Sequence, residues 1–194
     1  MTVTNDVVTC IERKLAYYQK NRESSTVKSE LALLRHGIGK FPGEVPQVCG
    51  MVFKDLPESL QGKGENPSYA EWALYAALTL FSFHQQGKSS FMHAKGVTLG
   101  KAIRRLVPYG DQEAEERTLR RFNQMATSSD MDELSHHLRG MISLLRSRDI
   151  PLDYAALARD LFLYQTIELQ PKVRLKWGRD YYYYQKETKE ENHE

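Results

Sequence analysis

Apolar residues recur at three- and four-residue intervals along nearly the whole chain and no run alternates with period two, so the pattern predicts an all-α fold. Val7, Val8, Ile11, Leu15 and Tyr18 mark a first helix that starts near Asn5 or Asp6. A second follows a cap at Ser24 or Ser25, carries Leu31 and Leu34, and stops at Gly37, because glycine accepts the left-handed conformation that ends helices. A shorter helical piece is expected within 42–56, and 61–67, with Gly62, Gly64 and Pro67, reads as a loop. Ser68 and Glu71 have the spacing of a capping box, in which each side chain satisfies an exposed backbone donor at the start of a helix. The helix they open, through about Phe83, is apolar on all sides and is predicted to be the buried centre of the amino-terminal half. The polar segment 85–96, with Gly87 and Gly96, predicts a mobile loop or linker. Further helices are expected at 99–107, 113–126, 130–146 and 153–165, with a last segment at 173–183.

Composition agrees with a folded chain of this kind. The 194 residues are 41% hydrophobic and 27% charged, ordinary globular values that exclude disorder throughout. The formal charge of +2 hides clustering: taking the two lysines and four acids of the segment 185–194 away from 27 basic and 25 acidic residues leaves a body of net +4. That acidic segment is expected to be a disordered end. Cys10 and Cys49 have no metal-ligand or redox spacing and read as reduced thiols. Residues 1–6 lack the pattern of a signal peptide, and the longest uncharged apolar stretch, 72–83, is far short of the roughly 20 residues that span a bilayer. A cytoplasmic protein without membrane contact is therefore expected.

Catalytic motifs are missing from the sequence. It has no Walker-type glycine loop, no Gly-x-Ser-x-Gly elbow and no His-Glu-x-x-His pair. His136 and His137 are adjacent, so a helix points them about 100° apart and they cannot chelate together; a surface or interface role is expected. His84 and His93 flank a loop without a ligand set beside them. No cofactor and no metal are expected.

The basic residues carry more information, because their spacing repeats. Helical rotation puts Lys101, Arg104 and Arg105 on one arc and Leu99, Ala102, Ile103 and Leu106 on the other. Arg117, Arg120 and Arg121 share an arc with Gln124, against Leu119, Phe122, Met125 and Ala126. Arg139 and Arg146 border the stripe of Leu134, Leu138, Met141 and Leu145. Like charges at these spacings cost a helix about 0.2–0.5 kcal/mol per pair, and two such triads point to an external anion, phosphate backbone first. The competing reading is a solvated face paired with Asp111, Glu113, Glu115 and Glu116. In 171–180 basic residues and aromatics interleave; Val173 and Trp177 share a face, which makes Trp177 a packing anchor and leaves Lys172, Arg174, Lys176 and Arg179 pointing outward, with Arg174 and Lys176 expected to contact nucleic acid. The run of tyrosines from 181 to 184 has no specific explanation.

Several stretches together resemble a known family: Ala32-Leu33-Leu34-Arg35-His36, Val97-Thr98-Leu99-Gly100-Lys101-Ala102-Ile103, the helices at 117–125, 130–145 and 153–163, and Val173-Arg174-Leu175-Lys176-Trp177. In order and spacing they are similar to the CasB-type small subunit of the type I-E CRISPR surveillance complex, Cascade. The resemblance implies an all-α protein of two small helical bundles packed together, placed here at 1–90 and 91–184. It implies a non-catalytic subunit that braces guide RNA and the target and displaced DNA strands, beside other Cascade subunits and a second copy of itself. The family's basic positions would fall on Arg35, Lys101, Arg105, Arg120 or Arg121, and Arg139. His36 and Gly140 stand where that family often has a further basic residue.

Two other readings compete. A helical scaffold that meets only proteins would share the fold and the lack of catalytic groups. A metal-dependent nuclease would need carboxylates gathered around an ion, whereas Glu113, Glu115 and Glu116 sit at a helix start, where negative charge complements the helix dipole.

Overall fold

The computed structural model describes residues 2–191, with side chains through 183. Nine α-helices make up the described chain: α1 (Val3–Lys20), α2 (Ser25–Leu34), α3 (Pro46–Phe53), α4 (Tyr69–Gln85), α5 (Leu99–Arg104), α6 (Gln112–Ala126), α7 (Met131–Ser147), α8 (Tyr154–Tyr164) and α9 (Gln170–Glu191). Short 3₁₀ turns lie at Arg35–Gly37, Glu58–Leu60 and Ile167–Leu169. Among the described residues the one extended contact is an isolated parallel bridge between His93 and Leu152, and no helix is long and apolar enough to cross a membrane.

The helices start where local chemistry can satisfy their exposed N–H groups. Ser24 accepts from the Val27 N–H, and Ser68 and Glu71 make both bonds of the expected capping box. Asp111, Asp130 and Asp153 cap α6, α7 and α8. Such a cap stabilises a helix by about 1 kcal/mol. Two bounds differ from the periodicity. α1 starts at Val3, two or three residues before the expected Asn5 or Asp6. α5 ends at Arg104, because Pro108 disfavours helical geometry in the residue before it and 105–107 close as tight turns.

α4 is the central element, buried on every side from Ala73 to Ser82. Buried side chains from Val7 on α1 to Tyr181 on α9 form one continuous core, which does not stop at residue 90. α8, from the second half of the sequence, packs against both α1 and α4. The segment expected as a mobile linker is instead stitched to the strand-like stretch before α8. Met92 O accepts from the Leu152 N–H, the Ala94 N–H donates to Leu152 O, and the Gly96 N–H donates to Asp153 Oδ2. The Gln85 amide clamps the same loop at Lys88, Ser90 and Met92.

At the other end α9 docks on α5 and α8. Trp177 is fully buried and stacks on Tyr164, ring centroids 5.7 Å apart. The packing anchor expected from its spacing is thus in place. Gly100 permits this docking, since a Cβ there would collide with the Trp177 carbonyl and the Tyr181 N–H. α9 continues as helix through Glu191, where the acidic end was expected to be disordered. Residues 192–194 lie outside the described residues.

Candidate nucleic-acid interface

α6 and α7 pack as an antiparallel pair joined at 127–130. Thr118, Phe122 and Met125 are buried on α6, and Leu134, Leu138, Met141, Ile142 and Leu145 on α7. With those stripes turned to the core, Arg117, Arg120, Arg121 and Arg139 are left exposed. Ser129 fixes the start of α7 by donating its N–H and hydroxyl to Glu133, bonds that hold the Glu133 carboxyl below its ordinary value. Glu133 in turn lies 3.7 Å from the His137 ring.

Two hollows lie along this pair and a third lies between α7 and α4. The first, 140 Å³, has walls from Arg117, Arg121 and Arg148. The second, 380 Å³, shares Arg121 and Leu144 with the first and adds Gln124, His136, His137 and Gly140. The third, 340 Å³, shares His136 with the second and adds Arg139 from α7 and Lys40 from the loop after α2. Neighbouring hollows thus adjoin at a shared wall residue and form a track with a cation at each stage, beside Glu44 and Asp132 in the third. Two of its cations, Arg148 and Lys40, were not singled out in the sequence. One lies just past a helix end and the other in a glycine-rich loop, so neither belongs to a periodic face.

The other expected cations divide into separate groups. Arg117 also pairs with Glu113 one turn earlier, as the solvated-face reading foresaw. Arg35 is brought to Arg146; burial, and then the Arg146 charge, lower its pKa from the ordinary value. Arg146 is tied down by its Nε–H donating to Gln86 O at 3.2 Å and lies over the Phe83 ring. Arg35 lines another hollow of 390 Å³ with Arg22, Lys28 and Lys88. On α5, Lys101 is half-buried and Arg105 exposed, while Arg104 is half-buried over the Tyr181 ring. The expected common arc of these three is therefore divided by the docking of α9.

Arg174 and Lys176 differ from expectation. Both were expected to point outward beside Trp177, and both turn inward. Arg174 donates from Nη2 to Tyr164 Oη at 3.0 Å, Gln170 Oε1 at 3.1 Å and Ser128 O at 3.3 Å. Lys176 Nζ donates to both Asp160 oxygens, 2.7 and 2.6 Å away. The cause is the neighbouring helix: α8 carries a buried acid and a tyrosine hydroxyl at the flank of the Val173–Trp177 stripe, and buried polar groups must be matched. The outward positions of the segment are Lys172, Leu175 and Arg179.

No three histidine, cysteine, aspartate or glutamate side chains among the described residues gather as a metal site. Cys10 and Cys49 are free thiols.

The model of the CRISPR-associated protein Cse2 family matches residues 30–182, which include every helix of the track. The chain belongs to this family. It is similar to the crystal structure of CasB from Thermobifida fusca, with 31% identity, a TM-score of 0.77, and coverage of 91% of this chain and 97% of that one. CasB from M. ruber is similar at 28% identity and a TM-score of 0.64, over 91% of this chain and 95% of that one. Among curated proteins none matches. Family and fold together make the chain a CasB-type Cascade subunit, as its motifs implied.

Proposed function

We propose that this subunit braces nucleic-acid backbone inside Cascade, in the cytoplasm, holding guide RNA and the target and displaced DNA strands so that the opened R-loop persists, with no catalysis of its own. It does so beside other Cascade subunits and a second copy of itself. The observation that carries the reading is the row of adjoining hollows on α6 and α7, where Arg117, Arg121, Arg148 and Arg139 line the walls. Arginine grips phosphate through a planar fork of donors, and a row of such groups follows a backbone without reading its bases.

A titration of the full chain with single-stranded DNA across a salt series tests this. Each neutralised phosphate contributes about −0.7 to the log-log slope for a single strand. Replacing Arg117 and Arg121, both in the walls of the track, by alanine should weaken unrelated sequences equally and flatten the slope by about one to two units. Folding should survive, since exposed substitutions usually change stability by no more than about 0.5 kcal/mol. Absence of any titration would favour the scaffold that meets only proteins.

A further inference from the structure

The third hollow of the track differs from the other two. One wall is aromatic: Trp72 of α4 meets Phe41 edge to face, ring centroids 5.1 Å apart and planes at 74°. Its lining includes Tyr75, whose hydroxyl is buried beside Gly37 and Val48 and has no hydrogen-bond partner among the described residues. Burial pushes the Tyr75 pKa up to about 12, so the group stays a neutral donor at physiological pH. An unmatched buried hydroxyl is costly, so a ligand that satisfies it binds the more tightly.

The rim is a built turn. Gly39 and Gly43 adopt φ of +70° and +113°, a region that favours glycine, and the Phe41 N–H donates to Glu44 Oε1 at 2.6 Å. That turn holds Phe41 against Trp72, and the exposed Lys40 and Arg139 line the hollow together with Glu44 and Asp132. A volume of 340 Å³ lies at the small end of ligand pockets, which run from about 300 to 1,000 Å³.

We propose that this hollow takes one unpaired nucleobase from the strand held on the track, stacked against the Trp72–Phe41 corner with its edge toward the Tyr75 hydroxyl and its phosphate between Lys40 and Arg139. The inference rests on the nucleic-acid reading above and adds a base site to it. Phosphate contacts alone let a strand slide, whereas one base lodged at the end of the track fixes its register. Stacking of this kind tolerates any sequence, because every base has a π-face.

The protein carries its own reporter. Of its two tryptophans Trp177 is fully buried and donates to Asp160, so quenching by a strand reports Trp72. The full chain is titrated with a single strand of about twelve nucleotides, with a strand of equal length whose sugars carry no bases, and with a free mononucleotide. The base-bearing strand should bind about 5- to 100-fold more tightly than the abasic one and quench the emission, which the abasic strand leaves unchanged. Tyr75→Phe, which keeps the ring, should narrow the gap between the two strands several-fold, and Trp72→Phe should abolish the quenching. Equal binding of both strands with a normal salt slope and no quenching would overturn the base site and leave the backbone track standing. Failure of every strand to bind would remove both. Quenching by the free mononucleotide as deep as that by the strand would overturn the assignment of the occupant to the bound strand.

Discussion

Lys176 sets its ammonium 2.7 and 2.6 Å from the two oxygens of Asp160, a carboxylate only 2% exposed that also accepts from the Trp177 indole N–H at 2.8 Å. One buried acid therefore ties α8 to α9 through two donors on adjacent residues. Breaking a buried pair by removing one partner typically costs about 3–5 kcal/mol, because the other charge is left uncompensated. Asp160→Ala should therefore lower the melting temperature sharply. Lys176→Ala should do the same to a lesser degree, since its side chain is 28% exposed. A thermal melt of both variants checks this; a Lys176→Ala protein that melts like the parent but binds DNA poorly would restore the outward role its position in the sequence implied.

Gly100 sets the distance between α5 and α9. Its added methyl would meet backbone atoms of Trp177 and Tyr181, which cannot rotate away. Overpacking generally costs about 1–3 kcal/mol. Gly100→Ala should lose at least that much in chemical denaturation, although alanine is the better helix former. An unchanged or higher midpoint would contradict the close approach.

Stability should fall in mild acid. His84 is fully buried against the Tyr154 hydroxyl at 3.0 Å, and burial, helped by Lys88 and Arg146, lowers its pKa from 6.5 to about 4. The unfolded chain thus binds a proton between these values that the folded chain refuses, so stability is full above pH 6.5 and is lost progressively down to about pH 4. The loss amounts to about 3 kcal/mol at the lower end. His93, also lowered by burial, acts in the same direction. Melts at about pH 7.5 and about pH 5.5, one unit either side of the ordinary histidine value, should differ less for His84→Gln than for the parent. An equal difference in both would show that other groups govern the acid limb.

Gly140 lines the second hollow of the track, and a Cβ there would meet nothing within 4 Å. Glycine inside a helix costs about 0.5–1 kcal/mol relative to alanine. Gly140→Ala should therefore raise the melting temperature, and Gly140→Lys should also steepen the salt slope of single-strand binding by about 0.7. A lysine that stabilises without changing the slope would place the strand elsewhere.

Much of the fold was legible because its causes are local. The Ser68–Glu71 capping box, the stripe of α7 and the all-round apolar character of α4 each follow from residues within a few positions of one another. Arg174 and Lys176 were misread because periodicity reports which side of a helix is apolar, not which acid waits on the next helix; Asp160 lies 16 residues away on α8. The segment 85–96 reads as polar and glycine-containing, and the distant Leu152 and Asp153, with the Gln85 amide, hold it in place. The track had the same limitation. Arg117 and Arg121 were visible on α6 and Arg139 on α7, but the hollows between them form only when His136 and His137 face Arg121 across the pair. The Tyr75 hydroxyl beneath Trp72 looked, on the sequence, like one more member of a buried helix.

The central claim is that position on the track, and not overall positive charge, holds the strand. The direct measurement compares two triple variants of equal charge in the same single-strand titration. One replaces Arg121, Arg139 and Arg148 by alanine, all in the walls of the track; the other replaces Lys20, Lys63 and Lys172, exposed cations outside those walls. The first should flatten the salt slope by about two units, at roughly 0.7 per lost contact, and the second should leave it within about half a unit of the parent. Equal losses in the two variants, or a first variant that binds like the parent, would contradict the account.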